Sequence, residues 1–177
     1  MASLKIVSPV DGRIYAERPL AGASEITAAL AAARKAQAAW REVSIADRGA
    51  LCARFVDAMV ARKDEFGKEL SWQMGRPVRY TPNEIAGGLQ ERTRQMVALA
   101  PEALADVKTV PKAGFTRFIR RDPLGVVFVV APWNYPYLTA VNAIVPATSG
   151  VCAECFRITA LPARIAGTMA FTAVRYG

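Results

Sequence analysis

Apolar side chains recur every three or four positions through the first hundred residues, which is the spacing of amphipathic helices. The first stripe follows Ser24, a residue type that caps helix N-termini, and the second begins near Ser44, with Asp47 three residues further on. A third begins near Asp64 and stops at Gly75. These patterns predict three helices whose inward faces are Ile26, Leu30, Ala33, Ala36 and Trp40, then Leu51, Phe55 and Met59, then Phe66 and Leu70.

A fourth helix has the most complete start signal. Thr81 fits the N-cap, Pro82 suits the first helical position, and Glu84 completes a capping box three residues after Thr81. Pro101 predicts the end of this helix. The predicted inward face consists of Ile85, Leu89, Met96 and Leu99.

Shorter patterns predict strands on either side of the helical region. The first twenty residues carry two turn signals and predict an edge hairpin or an extended arm. Residues 115–120 alternate in a strand-like way, with charge on both faces. Val126–Val130 is continuously apolar and mostly β-branched, which is typical of a strand covered on both faces in a parallel sheet. The sequence therefore predicts an α/β fold.

The residues that follow this apolar strand are the place to look for function, because ligands of parallel sheets bind beyond the carboxyl ends of the strands. Pro132 and Pro136 stiffen the loop. Asn134 can donate amide hydrogens to an oxygen that gains negative charge, as an oxyanion-hole residue does. Trp133 and Tyr135 offer flat apolar walls for a substrate or a ring-shaped cofactor. The alternative is that Asn134 only caps the helix that follows.

Composition narrows the chemistry. The 177 residues suit one domain, and the absence of histidine excludes a Ser-His-Asp triad, His-ligated zinc and an imidazole base. The net charge of +8 is uneven: residues 107–177 hold 8 basic and 2 acidic side chains, against 15 and 13 in residues 1–106. We interpret the basic cluster from Lys108 to Arg121 as a solvated or interface-lining strand pair, and expect no nucleic-acid partner.

Cysteine content and hydropathy bear on location. Three cysteines, and no apolar run of signal-peptide length near Met1, predict a reducing, cytoplasmic location. Cys152 and Cys155 form a lone Cys-x-x-Cys pair, which without histidine or a second pair predicts no metal site. Residues 123–153 are uncharged and long enough for a bilayer, but prolines and asparagines interrupt them. They therefore predict a buried strand, a turn and a helix, and no membrane partner.

Two short segments strongly resemble sequences of the aldehyde dehydrogenase superfamily. They are Pro-Leu-Gly-Val-Val at 123–127 and Ala-Pro-Trp-Asn-Tyr-Pro at 131–136. Upstream, Glu69-Leu70 through Gly75-Arg76-Pro77 is similar to that family's Glu-x(n)-Gly-Lys-Pro segment, with arginine in place of lysine. The resemblance covers roughly residues 8–147. It implies the N-terminal portion of an enzyme that oxidises aldehydes, semialdehydes included, to carboxylic acids with NAD or NADP. In this family the steps are thiohemiacetal formation on a cysteine, hydride transfer and thioester hydrolysis.

The resemblance also implies a domain plan and a set of site residues. Residues 1–147 are expected to form part of the cofactor-binding domain, with the start of a Rossmann-like parallel sheet. Strands near 107–121 resemble the family's oligomerisation region and imply a homo-oligomer. The implied site residues are Asn134 for the oxyanion, Ala131, Pro132 and Trp133 beside the nicotinamide riboside of the cofactor, and Tyr135 and Thr139 along the aldehyde tunnel.

The pattern departs from the family after about Ala147. The chain has no lysine beyond Lys112, and neither Cys152 nor Cys155 stands in the sequence context of the family's nucleophile. No glutamate matches the family's base. We therefore expect a truncated family member with a divergent tail at 148–177, as a frameshift or internal deletion would produce, and no activity from the chain alone. The alternative is a non-catalytic interaction fragment that pairs its strands with another subunit.

Overall fold

The helices of the computed structural model, which describes residues 3–150 and 153–156, follow most of the predicted periodicity. A π-helical turn, Glu84–Leu89, joins two α-helical pieces into one continuous helix. In chain order the helices are α1 (Ala23–Trp40), α2 (Ile45–Ala61), α3 (Lys63–Met74), α4 (Thr81–Asn83), α5 (Gln90–Ala103, directly after the π turn) and α6 (Pro136–Ser149).

The strands form three separate pairs. The predicted N-terminal hairpin is confirmed as an antiparallel pair, and a short antiparallel ribbon follows α5. The apolar strand pairs in parallel with a later strand, which confirms the α/β class. The pairs are β1 (Ser3–Val7) with β2 (Ile14–Pro19), β3 (Val107–Lys108) with β4 (Phe118–Ile119), and β5 (Val126–Val129) with β6 (Ala153–Phe156).

The core lies between α2, α3, α6 and the π turn. The predicted cap of α2 is confirmed, since the Ser44 hydroxyl accepts the Asp47 N–H at 3.1 Å. The buried face of α2 is displaced from the prediction: Met59 is buried as expected, but it is joined by Cys52 and Val56 rather than Leu51. The main core residues are Val56, Met59, Phe66, Leu70, Ile85, Leu89, Tyr137, Val141 and Val145.

The continuous helix over α4, the π turn and α5 differs from its prediction in three respects. Tyr80, not Thr81, is the N-cap, and the Thr81 hydroxyl instead donates to the Val78 carbonyl at 3.1 Å. The helix also passes Pro101 and ends at Ala103. Leu99 faces solvent because a π turn adds a residue and rotates the rest of the stripe by about 100°.

Helix α1 was predicted to bury an apolar stripe, and the structure confirms this only for its second half, where Ala33, Ala36 and Trp40 are half-buried. For the first half the prediction is wrong, because Ile26 and Leu30 are 46% and 41% exposed. The helix lies against β5 and β6 rather than the helical core. Its N-cap is Gly22, not Ser24, and the carboxylate of Glu25 accepts the Gly22 N–H at 2.7 Å.

Strand β5 is covered on one face within the described residues, and the predicted cover on both faces is not found there. Val129 packs into the core with Val127 beside it, whereas Phe128 is 61% exposed. Alternate residues of a strand point to opposite faces, so one face of β5 closes the core and the other is open. Of the predicted divergent tail at 148–177, residues 148–150 end α6 and residues 153–156 form β6. Cys152 lies outside the described residues, as do the side chain of Cys155 and residues 157–177.

The core predicts a contrast between two leucines. Leu70 is 1% exposed and Leu99 is 49% exposed, so Leu70→Ala should lower the free energy of unfolding by about 2–5 kcal/mol. Leu99→Ala, the matched control, should change it by less than about 0.5 kcal/mol. Urea denaturation followed by circular dichroism measures both values. Equal losses in the two variants would contradict the described packing.

Candidate functional site

Residues 131–135, which we call the Asn134 loop, connect the carboxyl end of β5 to α6. Ala131 at its start is buried, whereas Trp133, Asn134 and Tyr135 are exposed. Thr139 is exposed on the first turn of α6, four residues after Tyr135. Residues four apart on a helix share a face, so Tyr135 and Thr139 can border the same space. The predicted site residues therefore lie together at the end of β5.

The start of α6 is not capped by Asn134. Tyr135 occupies the N-cap position without a side-chain cap, and Pro136 is the first helical residue. The N–H groups of Tyr137 and Leu138 instead donate to one oxygen, Oε1 of Glu84, at 2.9 and 3.1 Å. A carboxylate suits this place because it satisfies orphan N–H groups and complements the positive end of the helix dipole. The Asn134 amide is thus not used as a helix cap.

Glu84 is paired with Arg76, which also contacts the Asn134 loop. The Arg76 guanidinium donates to Oε2 of Glu84 at 2.7 Å and to the carbonyl of Asn134 at 2.5 Å. Its centre lies 4.2 Å from the Tyr135 ring, within the range of a cation–π contact. The Glu84 side chain is 0% exposed and that of Arg76 is 15% exposed. One ion pair thus connects α3's end, the π turn, the loop and α6.

The local chain paths explain how this pair is assembled. Gly75 ends α3 in the left-handed region, with a φ of 80°, and this turn places Arg76 next to the continuous helix. Glu84 opens the π turn. Gly88 in the same turn lets α6 approach closely, because a Cβ there would lie 2.3 Å from Cδ1 of Leu138. A cleft of about 690 Å³ lies beside the pair.

The other end of α6 is held by a buried cation. Arg48 donates through Nε to the Ser149 carbonyl at 3.0 Å and through a second N–H to the Val43 carbonyl. Trp40 donates through Nε1 to the Thr148 carbonyl at 3.0 Å. Burial lowers the pKa of Arg48 from its usual value. A cation suits this end because the last carbonyls of a helix carry partial negative charge.

Tyr137 completes the interior behind the loop. Its ring packs against Phe66 and is fully buried. Burial raises the pKa of the Tyr137 phenol above its usual range, and the nearby carboxylates of Glu84 and Glu69 act in the same direction. Tyr137 serves as packing beneath the Asn134 loop.

Among residues 3–150 and 153–156, none of the helices combines the length and apolar character needed to cross a bilayer. In the same ranges, His, Cys, Asp and Glu side chains form no group of three or more that could hold a metal ion.

Comparison with known proteins identifies the family. The chain belongs to the aldehyde dehydrogenase family, whose model matches residues 2–164. This match runs beyond Ala147 and includes the first part of the segment that was predicted to diverge.

Individual relatives cover most of this chain, although the chain covers a small part of each of them. Mitochondrial succinate-semialdehyde dehydrogenase from Arabidopsis thaliana is 25% identical over 85% of this chain and 28% of its own length. Benzaldehyde dehydrogenase [NAD(+)] from Pseudomonas putida is 30% identical over 80% of this chain and 29% of its own length. The crystal structure of succinate-semialdehyde dehydrogenase from Burkholderia pseudomallei superposes with a TM-score of 0.84 at 26% identity, over 99% of this chain and 36% of that one. The chain thus spans under a third of the length of these curated relatives.

Sequence reasoning missed the roles of Glu84, Arg76 and Arg48. Glu84 was predicted to cap its own helix, because Thr81 stands three residues before it. One signal was available: α6 begins after Tyr135, which cannot cap a helix, so its first N–H groups need an acceptor from elsewhere in the chain. No signal in the sequence indicates which carboxylate supplies it.

The exposure of the loop predicts the fluorescence behaviour of the three tryptophans. Trp133 is 65% exposed, whereas Trp40 and Trp72 are half-buried. Acrylamide should therefore quench Trp133 most strongly, and Trp133→Phe should lower the Stern–Volmer constant of the chain. Trp72→Phe, the control, should raise it, because the remaining emission then comes in larger part from Trp133. An unchanged constant in Trp133→Phe would contradict the exposed placement of the loop.

Proposed function

We propose that these residues belong to an enzyme that oxidises an aldehyde, semialdehydes included, to a carboxylic acid with NAD or NADP. The observation that carries the proposal is the Asn134 loop at the carboxyl end of the parallel strand β5, with its amide exposed. Membership of the aldehyde dehydrogenase family supports the reaction class. The names of the relatives, which include a succinate semialdehyde and a benzaldehyde enzyme, support the substrate class.

Asn134 is the residue to which we assign the oxyanion. Attack on an aldehyde carbonyl places negative charge on its oxygen, and an amide N–H held in place stabilises that charge more than it stabilises the neutral carbonyl. Asn134 has a carbonyl fixed by Arg76 and an exposed side chain, so its NH₂ group is available to an incoming oxygen. A fixed donor needs no reorientation during the reaction.

Ala131, Pro132 and Trp133 are proposed to border the cofactor. Ala131 is small and buried where the loop leaves β5, and Trp133 presents an exposed flat ring beyond the strand end. These features fit a planar nicotinamide ring, and the NAD(+) in the name of the benzaldehyde relative supports this class of cofactor. The cofactor supplies the hydride acceptor when bound. The chain's own contribution here is a short border of one buried residue, Ala131, and one exposed ring, Trp133.

Tyr135 and Thr139 are proposed to line the path of the aldehyde. Tyr135 is the N-cap of α6, and the N–H of Thr139 one turn later donates to the Tyr135 carbonyl at 3.0 Å. The Tyr135 ring is braced from one side by Arg76 and is partly exposed. An aromatic wall with a hydroxyl beyond it suits an uncharged aldehyde group carried on an apolar or short polar chain.

We further propose that the 177 residues alone do not turn over aldehydes. The chain spans under a third of its curated relatives, and its one fully described cysteine, Cys52, lies in the helical core rather than beside Asn134. A thiol nucleophile must reach the substrate carbon, which Cys52 cannot do from that position.

We also propose a cytoplasmic location, because a chain with only three cysteines suits a reducing compartment.

The role of Asn134 can be tested in a chimera in which residues 1–147 replace the matching segment of a succinate-semialdehyde dehydrogenase. Asn134→Ala and Asn134→Asp should each lower kcat by about 10²–10³-fold with little change in KM, because both remove the amide donor. Reduced cofactor formation is followed by absorbance. Gln95→Ala, an exposed amide on α5, is the control and should leave kcat unchanged.

Full activity in Asn134→Ala would contradict the oxyanion assignment. The unmodified 177-residue chain is measured in parallel, and it should produce no aldehyde-dependent signal. Turnover by that chain would overturn the proposal that it is inactive alone.

We propose as a second candidate function that the β3–β4 ribbon is an oligomerisation surface. Its strands are only two residues long, and its apolar side chains stand in solvent. Outer edges of such a ribbon have unpaired N–H and C=O groups, which invite pairing with another chain. The exposed apolar residues of the ribbon region are Val107, Val110, Phe115, Phe118 and Ile119.

This candidate predicts self-association that depends on the ribbon. Sedimentation velocity over a range of concentrations should reveal oligomers of the chain, and Ile119→Lys should shift them toward monomer. Leu124→Lys is the control, since Leu124 is even more exposed but lies outside the ribbon. A similar shift in both variants would indicate nonspecific association of exposed apolar groups and would sink the ribbon as a specific surface.

A further inference from the structure

We propose that Glu84 and Arg76 are positioning residues for the Asn134 loop, and that they fix the direction in which Asn134 presents its amide. The proposal rests on the proposed function of Asn134. Neither side chain needs to touch the aldehyde or the cofactor. Both act through the backbone that carries Asn134.

The hydrogen bonds restrain the chain on both sides of one short stretch. The carbonyl of Asn134 is held by Arg76 at 2.5 Å, and three residues later the N–H of Tyr137 is held by Glu84 at 2.9 Å. Between these two points lies Pro136, whose ring fixes its own φ. The segment after Asn134 therefore has few remaining torsional freedoms, and its two anchors belong to the same ion pair.

Burial strengthens the Glu84 anchor, whereas the hydrogen bond from Arg76 to the Asn134 carbonyl lies at the surface. The Glu84 side chain is 0% exposed, so water does not compete for its oxygens, and charge-assisted bonds in such surroundings exceed neutral ones. If the carboxylate is lost, the N–H groups of Tyr137 and Leu138 lose their acceptor at a buried helix end. The start of α6 would then be free to fray, and the loop would move with it.

Arginine at position 76 can do what a lysine cannot. Its guanidinium offers one N–H to Glu84 and another to Asn134 while its central carbon lies 4.2 Å from the centre of the Tyr135 ring. A lysine ammonium keeps the charge opposite Glu84 but has neither the fork nor the flat face. Arg76→Lys therefore separates charge pairing with Glu84 from fixation of the loop.

Amide hydrogen exchange followed by NMR on the full 177-residue chain tests the Glu84 half. Well below the thermal transition, Glu84→Gln should accelerate exchange at the Tyr137 and Leu138 amides by about tenfold or more, because a neutral amide is a weaker acceptor. The change should be confined to residues 133–138. The matched control is Asp57→Asn, which breaks a pair of the same 2.7 Å length with Arg94 on the exposed surface, and it should leave those amides unchanged.

Two results of this experiment would overturn the proposal. One is wild-type exchange at Tyr137 and Leu138 in Glu84→Gln. The other is an equal acceleration of all core amides, which would make Glu84 a residue for global stability rather than for positioning.

The role of Arg76 in positioning the Asn134 loop is tested with two variants at position 76. These variants also test the proposal if Glu84→Gln does not fold. Arg76→Lys should keep exchange at Tyr137 and Leu138 within about threefold of wild type, yet lower the fluorescence anisotropy that Trp133 contributes. Arg76→Gln should both accelerate exchange at Tyr137 and Leu138 and lower the anisotropy that Trp133 contributes. The control Arg94→Gln should leave the exchange and the anisotropy as in wild type. Identical wild-type behaviour in Arg76→Lys and Arg76→Gln would overturn the proposal. None of these readouts uses catalysis, so failure here and failure of the Asn134 assignment are distinguishable.

Discussion

Helix α6 is fixed at its two ends by buried charges of opposite sign, and the arrangement of the site depends on this. Glu84 accepts the N–H groups of Tyr137 and Leu138, and Arg48 donates to the carbonyl of Ser149, the last residue of the helix. Each charge matches the partial charge of the helix end that it faces. Burying either one alone would be costly, but each has several hydrogen-bond partners in place of water. The helix can therefore occupy only one position in the core.

That position determines where the Asn134 loop lies. The loop leaves β5 at Ala131 and must join α6 at Pro136, so fixing the strand and the helix leaves it one short path. Arg76 then connects the middle of this path to the same carboxylate that caps the helix. The loop is exposed to solvent, yet its backbone is anchored to buried groups. This combination suits a site, because the side chains remain accessible while the backbone that carries them is held in place.

Local sequence patterns predicted the parts of the fold that depend on residues close together in the sequence. They failed where the structure depends on contacts between residues far apart in the sequence. Ser44 and Gly75 were correctly recognised as helix ends because caps and left-handed turns are local. The α/β class and the place of the loop also follow from the run at β5. Glu84 was misassigned because the N–H groups that it caps lie more than fifty residues further along the chain. The roles of the loop residues in catalysis stay predictions, since they depend on groups that a sequence pattern does not place.

The two faces of β5 divide the molecule in a way that bears on the site. The face with Val129 closes a core of helices that is complete in the described residues, and the pair of Glu84 and Arg76 belongs to that side. The face with Phe128 is open, as is the first part of the α1 stripe with Ile26 and Leu30. The Asn134 loop begins where β5 ends. The positioning half of the site is therefore built where the end of α3, the π turn and α6 meet, from residues far apart along the chain. The half that would enclose a cofactor depends on cover over the open face of β5.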